Sequence, residues 1–230
     1  MFLKVPTNSR YEIKFIAYDH QYALLQNWIK LHGLNFYREY KPRLVNNIYF
    51  DSFDLNSYKS NIHGDSSRIK LRYRWYDNFK KENLGKFEIK FKRNLYGWKK
   101  KFDVSDFAIS DKITWKMIIK LINNNLPKKY QYYFKENSIP QIINQYHRDY
   151  YISNDKKIRV TVDKDHYVFD QRHYESPNLK KKTLTQRFLV MEFKFNRNSV
   201  NEISNLIKGV PIRSSRNSKY VNSIRAITGI

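Results

Sequence analysis

In Arg68-Ile69-Lys70-Leu71-Arg72-Tyr73-Arg74-Trp75 every second residue is a cation and every residue between is apolar. Side chains two apart on a strand share a face, so this segment makes a strand with one cationic face and one apolar face. Phe87-Glu88-Ile89-Lys90-Phe91-Lys92 repeats the arrangement with a carboxylate ahead of two lysines. Tyr11-Glu12-Ile13-Lys14-Phe15 and Val190-Met191-Glu192-Phe193-Lys194-Phe195 do so again, which puts Glu-x-Lys between apolar neighbours on three strands. Tyr146 and Arg148 keep the same period, as do Arg159, Thr161 and Asp163. The chain is thereby constrained to a sheet that carries charge on one side and needs cover on the other.

For a single strand, a solvent-facing side explains such alternation. Over several strands the apolar side, rich in Phe, Ile, Leu, Trp and Val, also needs a partner layer, and amphipathic segments elsewhere supply it from outside. The charged faces then line the interior. Buried cations must be paired or solvated, and a phosphate chain is their natural counter-ion. The overall charge agrees, because 44 Lys and Arg against 21 Asp and Glu give +23 over 230 residues, a field that attracts polyanions. Nucleic acid, anionic membrane and polyphosphate all meet that description. Nucleic acid is the poorer fit, since its binders use an exposed patch or helix with stacking aromatics, and the aromatics here mostly sit opposite the charges. The absence of Cys excludes disulfides and thiolate metal sites and points to a cytoplasmic setting. No apolar run has the length of a signal peptide or a membrane span.

The remaining pattern fills in the elements. Strands are expected over Tyr11 to Ala17, Leu44 to Phe50, Arg68 to Tyr76, Phe87 to Arg93 and Trp98 to Val104. A second run covers Ile142 to Ile152, Ile158 to Val162, Tyr167 to Asp170 and Thr185 to Phe195. Helices are expected from Asp19 through Leu24, Leu25, Trp28 and Leu31, and from Leu55 to Ile62 with Gly64 as terminator. A third opens at Ser110 or Asp111, runs through Trp115, Ile118, Ile119 and Leu121, and is bounded by Pro127; two more lie near Val200 to Ile207 and from Ser218 to Ile227. The sum is an α+β chain, one domain over 1–230, built as a closed, mostly antiparallel β-barrel of about eight strands with helices packed outside.

Carboxylates inside a basic tunnel have a reason to be there if a divalent cation, Mn²⁺ or Mg²⁺, bridges them to phosphate oxygens. Glu12, Glu88, Asp163 and Glu192 are the candidates; for Glu12 and Glu88 the alternative is pairing with neighbouring lysines. No nucleophile is evident, because Cys is absent, no Gly-x-Ser-x-Gly or Walker-type loop occurs, and the six His residues lack ligand spacing. Phosphoryl transfer does not need one, since positioning and charge neutralisation carry it.

These residues resemble the triphosphate tunnel metalloenzymes and, within them, the polyphosphate polymerase domain of the vacuolar transporter chaperone (VTC) group. The resemblance runs along essentially the whole chain. It is carried by Arg-Tyr-Glu-Ile-Lys-Phe near the start, Asn-Ile-Tyr-Phe-Asp-Ser at Asn47 to Ser52, Lys-Leu-Arg-Tyr-Arg-Trp-Tyr at Lys70 to Tyr76 and Phe-Glu-Ile-Lys at Phe87 to Lys90. Tyr-His-Arg, Ile-Arg-Val-Thr-Val-Asp, Val-Met-Glu-Phe-Lys-Phe and the late Arg-Asn-Ser-Lys-Tyr at Arg216 to Tyr220 complete it.

What the resemblance implies is a tunnel in which basic residues grip a triphosphate or a growing polyphosphate and a late-strand glutamate holds the metal. Arg72, Arg74, Lys90, Arg148, Arg159 and Lys219 are then expected at the reacting phosphates. Lys14, Lys70, Lys92, Tyr146, Lys194, Arg216 and Ser218 are expected along the bound substrate, with Glu192 as the metal ligand. The wider superfamily opens with Glu-x-Glu-x-Lys, and here Arg10 takes the first Glu position, which leans toward the polymerase branch. The expected activity is transfer of the terminal phosphoryl group of ATP to inorganic polyphosphate, with any coupling to translocation supplied by a separate membrane partner. The alternatives are a triphosphatase or nucleoside triphosphatase in which Glu12 or Glu88 orients water, and a non-catalytic polyphosphate or RNA binder.

Overall fold

In the computed structural model, which describes residues 5–7, 9–77, 85–104, 107–185, 187–196, 203, 207 and 209–229, the alternating segments become nine antiparallel strands. They are β1 (Arg10–Tyr18), β2 (Tyr37–Asp51), β3 (Ser67–Tyr76), β4 (Lys86–Arg93), β5 (Tyr96–Asp103), β6 (Ile139–Ile152), β7 (Arg159–Asp170), β8 (Lys182–Leu184) and β9 (Phe188–Asn196). The order is β6-β2-β3-β4-β5-β1-β9-β7-β8, and β6 also pairs with β7. Eight strands thus close into a ring, with β8 attached alongside the second half of β7.

Register decides what faces inward. Arg72 lies opposite Glu88 and Tyr49, Lys70 opposite Lys90, Arg68 opposite Lys92, and Lys14 opposite Glu192. The charged residues therefore stand on one continuous inner face, and the intervening apolar residues point outward to two separate covers. Leu71, Tyr73, Trp75, Phe87 and Ile89 pack with Trp115, Ile118, Ile122 and Phe134 of α3 (Trp115–Asn125) and α4 (Lys128–Lys135). Phe15, Ala17, Val160, Val162, Met191 and Phe193 pack with Leu25 and Ile29 of α1 (Tyr22–Leu31) and with Ile203 and Ile207. The helix expected over 200–207 otherwise lies outside the described residues.

The last helix, α5 (Lys219–Thr228), behaves differently. Its Tyr220 and Ile224 pack on Tyr49, Ile142 and Val168, which share the inward face, so α5 closes over one end of the ring. Its approach is fixed by a weak seam. β1 pairs with β5 only at Arg10 and Tyr11, and beyond that point its free edge is taken by the segment before α5, through a Phe15–Ser214 bridge and a Ser215 amide donating to the Lys14 carbonyl at 2.8 Å.

Several boundaries differ from expectation. β2 begins seven residues early because irregular register between Tyr40 and Arg43 absorbs Pro42, which has no amide to donate. The two short strands expected around Lys164 are one, β7, bent by a register shift in its pairing with β6 and by Asp165 at φ 53°. The strand expected over Thr185 to Phe195 begins later, as β9 at Phe188, and the short β8 that precedes it was not expected. Thr114, not Ser110 or Asp111, caps α3, accepting from the Met117 amide at 3.3 Å. α4 was not expected at all, since its aromatic run has poor helix propensity and buries only Phe134. α2 (Asn56–His63) ends as expected at Gly64, in the left-handed region at φ 77°. Among the described residues no helix is long and apolar enough to cross a membrane.

Candidate functional site

The ring encloses a cavity of about 610 Å³. Fourteen of the seventeen residues expected at the site line it: Glu12, Lys14, Lys70, Arg72, Arg74, Lys90, Lys92, Tyr146, Arg148, Arg159, Glu192, Lys194, Ser218 and Lys219. Glu88 and Asp163 stand behind this lining, and Arg216 is exposed outside it.

The two set-back carboxylates organise the cations. Glu88 receives Arg72 Nε at 2.7 Å and Lys99 Nζ at 2.6 Å. Asp163, fully buried, receives Arg148 in a two-pronged pair at 2.5 and 2.7 Å and Lys219 Nζ at 2.5 Å. Burial would raise both carboxyls, but Arg72 at Glu88 and Arg148 at Asp163 hold them far below the usual carboxylate range. Their oxygens are occupied in aiming guanidinium and ammonium groups. Arg74 is held by neutral partners instead, Asn47 Oδ1 at 2.7 Å and the Tyr146 hydroxyl at 2.9 Å.

Glu12 and Glu192 are the carboxylates that line the cavity. They are diagonal neighbours on β1 and β9, with Lys194 opposite Glu12 and Lys14 opposite Glu192. Lys194 reaches Glu192 at 2.9 Å and Lys14 reaches it at 3.9 Å. Burial pushes both carboxyls up, and Glu12 also feels Glu192, yet the surrounding lysines leave each below the ordinary value. The described residues include no group of three or more His, Cys, Asp or Glu able to cage a metal. Two carboxylates facing a cationic cavity do fit a small hard cation that takes its other ligands from a bound anion and water.

Sequence reasoning missed part of the wall. Lys99 and Lys101 line the cavity, but their run, Lys99-Lys100-Lys101, hides the period-two signal. Asn47 and Tyr49 are uncharged residues of β2; Tyr49 meets Arg72 Nη1 at 3.4 Å and stacks on Tyr220. The Ser218 hydroxyl accepts from Lys70 Nζ at 2.8 Å, and Lys14 Nζ donates to the Asn217 carbonyl at 3.1 Å, which is how the late segment enters the site. Thr161 Oγ1 and both polar atoms of the Asn217 side chain, in the same lining, have no hydrogen-bond partner among the described residues.

The excess of cations leaves a titratable signature. Burial, with Arg72 nearby, brings Lys99 down to about 7 and Lys90 down to about 8 from the ordinary 10.5. Between those values and 10.5 the unfolded chain holds more protons than the folded one, so ligand-free stability rises with pH. A bound polyanion restores those protons, so its affinity falls over the same range. Raising the pH from 7 to 9 is expected to raise the melting temperature of the ligand-free protein while shrinking the further increase given by tripolyphosphate. Parallel slopes in the two melting curves would show that these lysines do not face the ligand.

A closed antiparallel ring with a cationic inner wall defines the triphosphate tunnel class of fold. A putative adenylate cyclase from Vibrio parahaemolyticus is similar to this chain, with a TM-score of 0.52 and 8% identity over 92% of this chain and 97% of that one. A chain of the Schizosaccharomyces pombe Mediator head module gives 0.50 and 7% over 90% and 97%. These likenesses concern the fold alone. The chain belongs to the VTC domain family, which it matches over residues 9–228. No curated protein matches it. Family membership implies a polyphosphate-related function and an enzyme of the triphosphate tunnel type.

Proposed function

We propose that the chain is a polyphosphate polymerase, transferring the terminal phosphoryl group of ATP to the end of a polyphosphate chain held in the cavity. The observation that supports this best is the state of its carboxylates. A carboxylate base is one way to activate water for hydrolysis, and here Glu88 and Asp163 are engaged by cations while Glu12 and Glu192 are held below the ordinary range, which leaves each a weak base. A polyphosphate end needs no such base, because its attacking oxygen is already an anion.

An oxygen of the chain end bonds to the terminal phosphorus of ATP, the bond from that phosphorus to the bridging oxygen breaks, and ADP leaves with the electron pair. Arg72, Arg74, Lys90 and Arg148 hold the phosphates and offset the charge of two polyanions brought together. Lys14, Lys70, Lys194, Ser218 and Lys219 extend the grip. Glu12 and Glu192 would hold Mn²⁺ or Mg²⁺, which when bound neutralises phosphate oxygens. Purified protein given ATP and Mn²⁺ is expected to accumulate acid-labile, long-chain phosphate. Release of orthophosphate alone would overturn the proposal in favour of a triphosphatase, and binding of tripolyphosphate without any turnover would leave a binding module.

A further inference from the structure

The two ends of the cavity differ in chemistry. Where β3 begins and β4 ends, Arg68 lies opposite Lys92 and Lys70 opposite Lys90. Like charges directly opposite are destabilising, and none of these four cations has an ion pair with a carboxylate among the described residues. That end concentrates cations, with Phe91 and Trp98 also in its lining. At the other end, where β3 finishes beside β2 and β6 meets the start of β7, the lining is aromatic: Tyr40, Tyr76 and Tyr150. Glu39 stands there as well, with its carboxylate on Arg159 at 2.9 Å.

The rings are held in place before any ligand arrives. The Arg43 guanidinium sits 5.0, 5.4 and 5.9 Å from the centres of Tyr40, Tyr76 and Tyr150. Tyr40 and Tyr150 meet edge to face at 5.6 Å and 84°. Tyr40 is nonetheless 45% exposed, so a large aromatic surface is left open beside a phosphate site. A carboxylate repels phosphate, but it accepts hydrogen bonds from ribose hydroxyls or an exocyclic amine. A flat ring offers a stacking surface to any base.

We infer that this aromatic end is a nucleoside subsite: the base of a nucleoside triphosphate stacks on Tyr40, its sugar lies toward Glu39, and its phosphates point inward to Arg74 and Arg148. The assignment rests on the polymerase reading, in which the cavity takes a nucleoside triphosphate rather than inorganic phosphate alone. It also sets an orientation, with the nucleoside at the Tyr40 end and the phosphates directed along the cavity toward Lys70 and Lys90.

The test compares ATP with inorganic tripolyphosphate, which shares the phosphates and lacks the nucleoside, by calorimetric titration of the whole chain. Tyr40→Ala is expected to weaken ATP on the order of tenfold, the scale of losing one stacking ring, and to leave tripolyphosphate affinity at the parental value. Tyr40→Phe and Tyr40→Trp should retain parental ATP affinity, since both keep a stacking surface. Unchanged ATP binding in Tyr40→Ala overturns the subsite, as does equal weakening of both ligands, which would mean that the ring only shapes the mouth. Either result leaves the tunnel reading standing. Failure of the parent protein to bind either ligand would remove the polymerase reading and the subsite together.

Discussion

Replacing Arg74 with Ala is expected to lower polymer synthesis by about a hundredfold to a thousandfold, the usual effect of removing one fixed donor from developing charge, with little change in melting temperature. Arg74 is anchored by Asn47 and the Tyr146 hydroxyl, and neither is left as an unpaired buried charge when the guanidinium goes. Arg72 is the contrasting case. Its loss strands Glu88, 3% exposed, with Lys99 as its remaining ion-pair partner, and breaking a buried pair costs about 3–5 kcal/mol. Arg72→Ala should therefore lose both activity and melting temperature. Lys116→Ala, at an exposed position on α3, is the control for bulk charge. The measurement is initial rate of polymer formation beside thermal unfolding of the same samples; equal rates in Arg74→Ala and Lys116→Ala would mean that net charge, and no particular guanidinium, sustains the reaction.

Glu192→Gln is expected to abolish most Mn²⁺-dependent synthesis, on the order of a hundredfold or more if the ion supplies several kcal/mol of charge stabilisation. The change is nearly isosteric, so the wall keeps its shape. It removes the negative charge that Lys14 and Lys194 share, so metal-free tripolyphosphate should bind at least as tightly as to the parent. Metal affinity measured with tripolyphosphate present, by Mn²⁺ electron paramagnetic resonance, should fall in step with synthesis. Glu88→Gln provides the comparison: it should lower the melting temperature, because two cations lose their shared partner, while leaving Mn²⁺ affinity unchanged. If Glu192→Gln retains parental Mn²⁺ affinity, then Glu192 serves only to pair lysines.

Much of the site was legible because a strand converts sequence parity into a spatial face. Arg68 to Arg74 and Glu88 to Lys92 needed only the assumption of extended backbone to be placed on one wall. The closed sheet followed from the second face needing cover, which α1, α3 and α4 provide. Parity fails where charge is uniform, so Lys99 could not be told from Lys100, and where the inward residues are uncharged, so Asn47 and Tyr49 gave no sign. The division of labour among carboxylates was also hidden. Glu12, Glu88, Asp163 and Glu192 look alike in sequence, yet two are set behind cations and two line the cavity, a difference made by cross-strand register. The inward path of Ser218 and Lys219 depends on an edge of β1 that β5 leaves unpaired, and no local pattern announces that.

That shared edge also governs the order of assembly. The Lys14–Asn217 hydrogen bond joins residues 203 apart in the chain, close to the longest separation the protein offers. Contacts of such span form slowly, because the entropy of closing a long loop is lost before any contact repays it. During synthesis the ring strands emerge before the segment that seals β1, so a nascent chain can carry every strand and still lack Ser218, Lys219 and the helix over the ring's end. Binding through Ser218 and Lys219 therefore requires that last segment to be in place. A polyanion that engages Lys70 and Lys219 together would select the fully sealed state and so stabilise the last step of assembly.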